Sequence, residues 1–264
     1  MKVLRLGLTA AAFTLGASAD VASRPPAFSS HQTELGSTGL QRNQAEDDYW
    51  LASQFAEGLT VERDYSAAAR FYRKAAAAGF APAQYQLGRM YEDGNGVECD
   101  LTRAAAWFRK AANQGDPEAQ NDLGALYATG RGVPQDDGEA VRWYRLAAEQ
   151  KDPEATSNLG MMYFKGRGVA MDLTQALLLF RRAAEQGYAG AQNNLALMYA
   201  NGQGVNQDFI CAYAWLDIAA AQNPRFTELR EQVAEEMTPD EIKRARDWSI
   251  KKREEIAHKG KESR

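Results

Sequence analysis

From Tyr49 onward the apolar and polar positions form blocks that return every 36 residues, as the register of Leu51, Leu87, Leu123, Leu159 and Leu195 sets out. Within one block, Leu87 and Met90-Tyr91 fall at helical spacing. Ala104, Trp107, Phe108, Ala111 and Ala112 then follow at i, i+3, i+4, i+7 and i+8, the stripe of a one-sided helix. Gly94-Asn95-Gly96-Val97 lies between the two patterns and closes the first helix with residues that take positive φ at little cost. Asp100 stands where the second helix needs an N-cap. Each block therefore predicts a helix, a glycine loop and a second helix.

Seven columns are identical in all five copies. Besides the leucines they include Gly58, Gly94, Gly130, Gly166 and Gly202, the valines from Val61 to Val205, and Asp64, Asp100, Asp136, Asp172 and Asp208. Three alanine columns, beginning at Ala68, Ala75 and Ala76, complete the set. Such a period identifies a repeat array in which each unit borrows its core from its neighbours. The five aspartates in register read as caps rather than as a metal ladder. Asp136 with Glu139 and Asp172 with Gln175 resemble capping boxes. The column Phe71, Trp107, Trp143 and Trp215 lies on the alanine stripe and is expected in the core. After Pro224 the period stops. A helix from Phe226 to Met237 and a second from Thr238-Pro239-Asp240-Glu241 through Ile256 are predicted to close the array.

The run Leu-Gly-x-x-Tyr-x-x-Gly-x-Gly-Val-x-x-Asp occurs at Leu87 to Asp100, Leu123 to Asp136 and Leu159 to Asp172. At these residues the chain resembles the Sel-one-like repeat family, a branch of the tetratricopeptide superfamily. The resemblance spans Tyr49 to about Asn223. It implies an all-α fold, a right-handed α/α solenoid of about five helix-turn-helix repeats with a C-terminal capping helix pair. The first unit departs from the motif with Thr60 for the second loop glycine, and the fifth with Ala196 for the first-helix glycine. The expected organisation is a signal peptide over 1–19, a flexible leader over 20–46, five repeats over 47–223, a helical cap over 224–258 and a tail over 259–264.

Lys2 and Arg5 precede an apolar run from Leu6 to Gly16, and Ala17-Ser18-Ala19 follows. That pattern predicts export, with a periplasmic or secreted location in a Gram-negative bacterium. Composition changes the picture little. Alanine is the commonest residue, 47 of 264, which suits closely packed helices. A net charge of −4 gives no global basic field, so nucleic acid is not an expected partner. From Lys243 onward the last helix is locally basic, which reads as a solvated capping face.

Catalytic constellations are missing from the pattern: no phosphate loop, no paired-cysteine zinc spacing, and His31 and His258 stand far apart. No enzyme activity and no cofactor or metal are expected. Cysteine-rich relatives in the family imply one alternative, a β-lactam- or peptidoglycan-interacting protein. Ser249-Ile250-Lys251-Lys252 fits the Ser-x-x-Lys element of that chemistry, but no Ser-Asp-Asn or Lys-Thr-Gly accompanies it. Cys99 and Cys211 sit three units apart at non-equivalent positions, too far for a disulfide.

Function then falls to a surface. In the superfamily the concave face is lined by the first helix of each unit, which implies a scaffold or adaptor for a protein or peptide partner. The residues on that helix that vary between units are the candidate partner-binding set: Gln86, Arg89, Asn121, Asp122, Asn158, Lys165, Asn193 and Asn194. Amides at matching positions could hydrogen-bond an extended peptide backbone, as a sheet edge does.

Overall fold

The computed structural model describes residues 44–58 and 60–262, with side chains to residue 259. The segment read as a signal peptide and the leader up to residue 43 lie outside the described residues. Among those described there are twelve α-helices, one 3-10 turn and no strand. The repeats are five helical hairpins: α1 (Gln44–Glu57) with α2 (Tyr65–Ala77), α3 (Ala81–Asp93) with α4 (Leu101–Asn113), α5 (Pro117–Thr129) with α6 (Asp137–Glu149), α7 (Pro153–Lys165) with α8 (Leu173–Glu185), and α9 (Ala189–Asn201) with α10 (Phe209–Gln222). After the turn Pro224–Phe226 come α11 (Thr227–Ala234) and α12 (Pro239–Glu262). The chain divides into two compact units, one ending at Trp143 and one whose array portion begins at Tyr144, so α6 contributes to both.

The hairpin follows from three local rules. Asp64, Asp100, Asp172 and Asp208 each accept the amide three residues on, at 2.9 Å, as N-caps of the second helix. Asp136 caps in the same way through Gly138 and Glu139. Each cap contributes about 1 kcal/mol. Glu139 does not complete a capping box, because its carboxylate is taken by Arg142 and the Trp143 indole. Thr238 and Glu241 do make one, reciprocally, at the start of α12.

The two loop glycines have different tasks. Gly94 and Gly130, at φ 74° and 70°, end the first helices in the left-handed region. Gly96 and Gly132 also have positive φ, and in addition press on the second helix of the preceding repeat. A Cβ there would lie 2.1 Å from the Tyr65 carbonyl oxygen and 2.3 Å from that of Leu101. The second glycine is thus a contact between repeats. Among the described residues no hairpin precedes the first repeat, so Thr60 there has no such contact to make, and its hydroxyl donates to Gln54 at 2.8 Å. The same logic governs Gln84, Gln120 and Gln192, whose side-chain amides donate to Ala76, Ala112 and Ala184 carbonyls of the preceding hairpin. In the first repeat that column holds Asp48.

The expected aromatic column is buried in part, and a second column one residue beyond it is buried more consistently. Tyr72, Phe108, Tyr144 and Phe180 are buried, while Phe71 and Trp107 remain half-exposed. Trp143 and Trp215 of the expected column are buried. The physical reason is the first-helix glycine. A Cβ on Gly88 would stand 2.6 Å from the Phe108 ring and one on Gly160 3.0 Å from the Phe180 ring, so the ring needs that space. In the fifth repeat Ala196 replaces the glycine and Leu216 replaces the ring, an exchange of volume that keeps both fully buried.

The cap departs from its expected bounds. The helix predicted from Phe226 to Met237 is shorter, and the last helix continues past Ile256 to Glu262. Both cap helices pack on α10. Phe226, Val233 and Ala245 are buried there, and Trp248 meets Trp215 edge-on at 5.3 Å.

Candidate functional site

The amides expected to read a partner are placed inside the packing. Asn121, Asn158, Asn193 and Asn194 are 4%, 1%, 1% and 0% exposed. Each is engaged within the chain, Asn121 on Asp122 and Asn193 on Asn194 among their contacts. A partner could not bond them without displacing what covers them. The expectation of an open amide ladder is therefore corrected: the polar column is buried and engaged within the chain, which spacing along one helix does not show. The triple change Asn121→Ala, Asn158→Ala and Asn194→Ala is expected to lower the melting temperature, since each leaves buried polar groups unsatisfied at about 1–3 kcal/mol. Thermal denaturation followed by circular dichroism checks this, and an unchanged melting curve would return the amides to the surface.

The other four residues of the set remain accessible. Gln86, Arg89 and Asp122 are half-exposed and Lys165 is exposed. Gln86 and Arg89 lie on α3 and Asp122 on α5, both in the first compact unit. Arg89 reaches Asp93 one turn on, at 3.7 Å, a weak pair between partly exposed groups. Asp122 accepts a hydrogen bond from the Tyr85 hydroxyl. Burial pushes the Tyr85 phenol well above its ordinary range, and the carboxylates of Asp122 and Glu118 push it further. Helices α3 and α5 thus combine a closed tyrosine, a carboxylate and a guanidinium on rigid elements. Lys165, in the other unit, ends α7; partial burial of its ammonium and nearby Arg167 hold it below the usual lysine range. Tyr85 belongs with this set, in a varying column that turns to Asn121, Ser157 and Asn193 in later repeats.

The Ser-x-x-Lys element offers no nucleophile in this conformation. Ser249 is fully buried, its hydroxyl 2.7 Å from Asp217 Oδ2 and 2.9 Å from the Arg246 carbonyl. Lys252 Nζ lies 3.0 Å from Glu255 and 3.9 Å from Glu185. Both residues serve the docking of α12. Cys99 is exposed and Cys211 half-buried, both as free thiols, and burial with help from Asp208 pushes the Cys211 thiol up to about 12. Among the described residues no three His, Cys, Asp or Glu side chains gather as a metal site.

Five hairpins in this register match the Sel1 repeat profile at residues 48–80, 81–116, 117–152, 153–188 and 189–224. The chain belongs to the Sel1 repeat family. Among solved structures it is similar to a Sel1 repeat protein from Oxalobacter formigenes, with 31% identity and a TM-score of 0.70 over 78% of this chain and 84% of that one. It also resembles c5321, a protective antigen of uropathogenic Escherichia coli with the same repeat fold, at 27% identity and a TM-score of 0.46 over 82% and 62% of the two chains. The immunity protein Pa5087 from Pseudomonas aeruginosa matches at 22% identity and a TM-score of 0.48, over 81% and 83%. No curated protein matches the chain. Sel1 repeat proteins are generally scaffolds for protein interaction, and the family is typically non-catalytic.

Proposed function

We propose that this Sel1 repeat chain is an exported scaffold that holds another protein on the concave face of its first helices. One observation carries the reading. Gln86, Arg89, Asp122 and Lys165 vary between repeats yet stay partly or fully open to solvent, whereas the invariant alanines and leucines are largely buried. Accessible side chains held on rigid helices are where recognition is inexpensive in entropy. Export to the periplasm or beyond is supported by Lys2, Arg5, the apolar run to Gly16 and Ala17-Ser18-Ala19. No helix among the described residues is long and apolar enough to cross a membrane.

Capture from a periplasmic extract tests the surface. The triple variant Gln86→Ala, Arg89→Ala and Asp122→Asn is expected to hold its partner at least about ten-fold less well, each lost contact contributing roughly 0.5–1.5 kcal/mol. Asp122→Asn keeps an acceptor for the Tyr85 hydroxyl, so the melting curve should stay in place. Capture equal to that of the wild-type chain would remove α3 and α5 from the partner site.

A further inference from the structure

Charge on the second helices of the first compact unit is one-sided. α2 carries Arg70, Arg73 and Lys74, and α4 carries Arg103, Arg109 and Lys110; neither helix has an aspartate or a glutamate. All six cations are exposed. The repeat itself does not demand this. In α6 Arg142 is offset by Glu139, and α10 has no lysine or arginine at all. The basic face belongs to two successive repeats.

Few of these cations are matched within the chain. Arg103 pairs with Asp100 at 3.1 Å, and Arg109 donates to the Tyr127 hydroxyl. Lys74 lies 4.9 Å over the Phe71 ring and Lys110 3.8 Å over that of Trp107. Among the described residues no carboxylate pairs with Arg70, Arg73, Lys74 or Lys110. Like charges left unmatched on equivalent faces of neighbouring repeats repel one another, and an anionic partner relieves that repulsion.

We infer that the exposed face of α2 and α4 is a second docking surface, for an acidic segment of a partner protein. Carboxylates along an extended segment reach the cations of successive repeats, and the Arg70 and Arg73 forks bind them in two-point fashion. A bilayer suits the face less well. Tyr65, at the start of α2, is the single large apolar side chain that these two helices expose among the described residues. Single-stranded nucleic acid needs open rings for stacking, and here lysines lie across Phe71 and Trp107.

The full chain and a fluorescein-labelled poly-glutamate peptide make the test. The peptide should bind, with an affinity that falls as salt rises. The variant Arg70→Gln, Arg73→Gln, Lys74→Gln, Lys110→Gln should bind it roughly ten-fold more weakly or worse, as four exposed pairs are lost. Its urea unfolding curve should be unchanged, and Lys74→Arg with Lys110→Arg should retain binding. The first-helix variant described above should bind the peptide like wild type, so failure here and failure of the concave-face reading give different results. Equal binding by the glutamine variant overturns the inference. So does tighter, variant-sensitive binding of anionic phospholipid vesicles or of duplex DNA.

Discussion

Gly132→Ala is expected to cost more stability than any comparable one-methyl change at a loop glycine with open space around it. Gly132 has φ 69°, where an L side chain is strained by about 1–2 kcal/mol. Its new methyl would also lie 2.3 Å from the Leu101 carbonyl oxygen and 2.4 Å from its carbon. Those are backbone atoms at the start of α4, held by the Asp100 cap, so they cannot swing aside as a side chain would. Strain and clash together should bring the loss to about 3–5 kcal/mol, the range of a severe core change. Gly115→Ala is the control. Gly115 has φ 94° but nothing within 4 Å of a built Cβ, so only the backbone strain remains. Urea unfolding of both variants checks the difference. Equal losses would mean that the second loop glycine serves its own turn and not the contact between repeats.

Asp217→Ala is expected to release the C-terminal helices. Asp217 stands in the column of Arg73, Arg109 and Arg181, and Arg109 and Arg181 each reach a tyrosine hydroxyl of the following repeat. The fifth repeat has no such successor. Its aspartate instead accepts Arg230 of α11 at 3.0 Å and Ser249 of α12 at 2.7 Å. Arg246 adds a bond to the Tyr213 hydroxyl at 3.0 Å. The carboxylate is 15% exposed. Its removal leaves Arg230 with Glu231 and the buried Ser249 with the Arg246 carbonyl, so both contacts that tie the cap helices to α10 through Asp217 are lost. The expected loss is about 2–4 kcal/mol. It should fall on the cap first, because the hairpins before α10 keep their own interfaces. Limited trypsin digestion reads this out: cleavage within α12 accelerates while the five repeats persist. An intact α12 under conditions that leave wild type uncut would assign the cap to its apolar contacts alone.

Much of this fold is legible because it repeats. Any position that must be glycine, aspartate or alanine in one hairpin must be so in the next, and the period exposes it. The Asp64 to Asp208 caps and the Gly94 and Gly130 terminations follow from local chemistry and behave as expected. The pattern assigns the column of Phe71, Trp107, Trp143 and Trp215 to the core, which holds for the two later members. Adjacent rings such as Tyr72 lie near the same stripe and are buried more consistently. The space left by Gly88 and Gly160 admits the Phe108 and Phe180 rings. The candidate site is less legible. Polar residues at Asn158 and Asn194 look open when a helix is drawn alone, yet both are buried in the folded chain. Ser249 misleads in the opposite direction: a short motif suggests chemistry, and the fold uses the hydroxyl to seat a helix. Asp217 is visible as a break in the arginine column, though its meaning depends on Arg230 and Ser249, distant in sequence.

The central claim is that another protein is held on the open first-helix positions in the exported compartment. A photoreactive amino acid at position 86 in living cells tests it most directly, with the exposed position 228 on α11 as the comparison. Irradiation should give a discrete crosslinked protein from position 86, in the periplasmic or secreted fraction, and none from position 228. A chain that stays uncrosslinked at 86, or that gives the same adducts from both positions, would contradict the account.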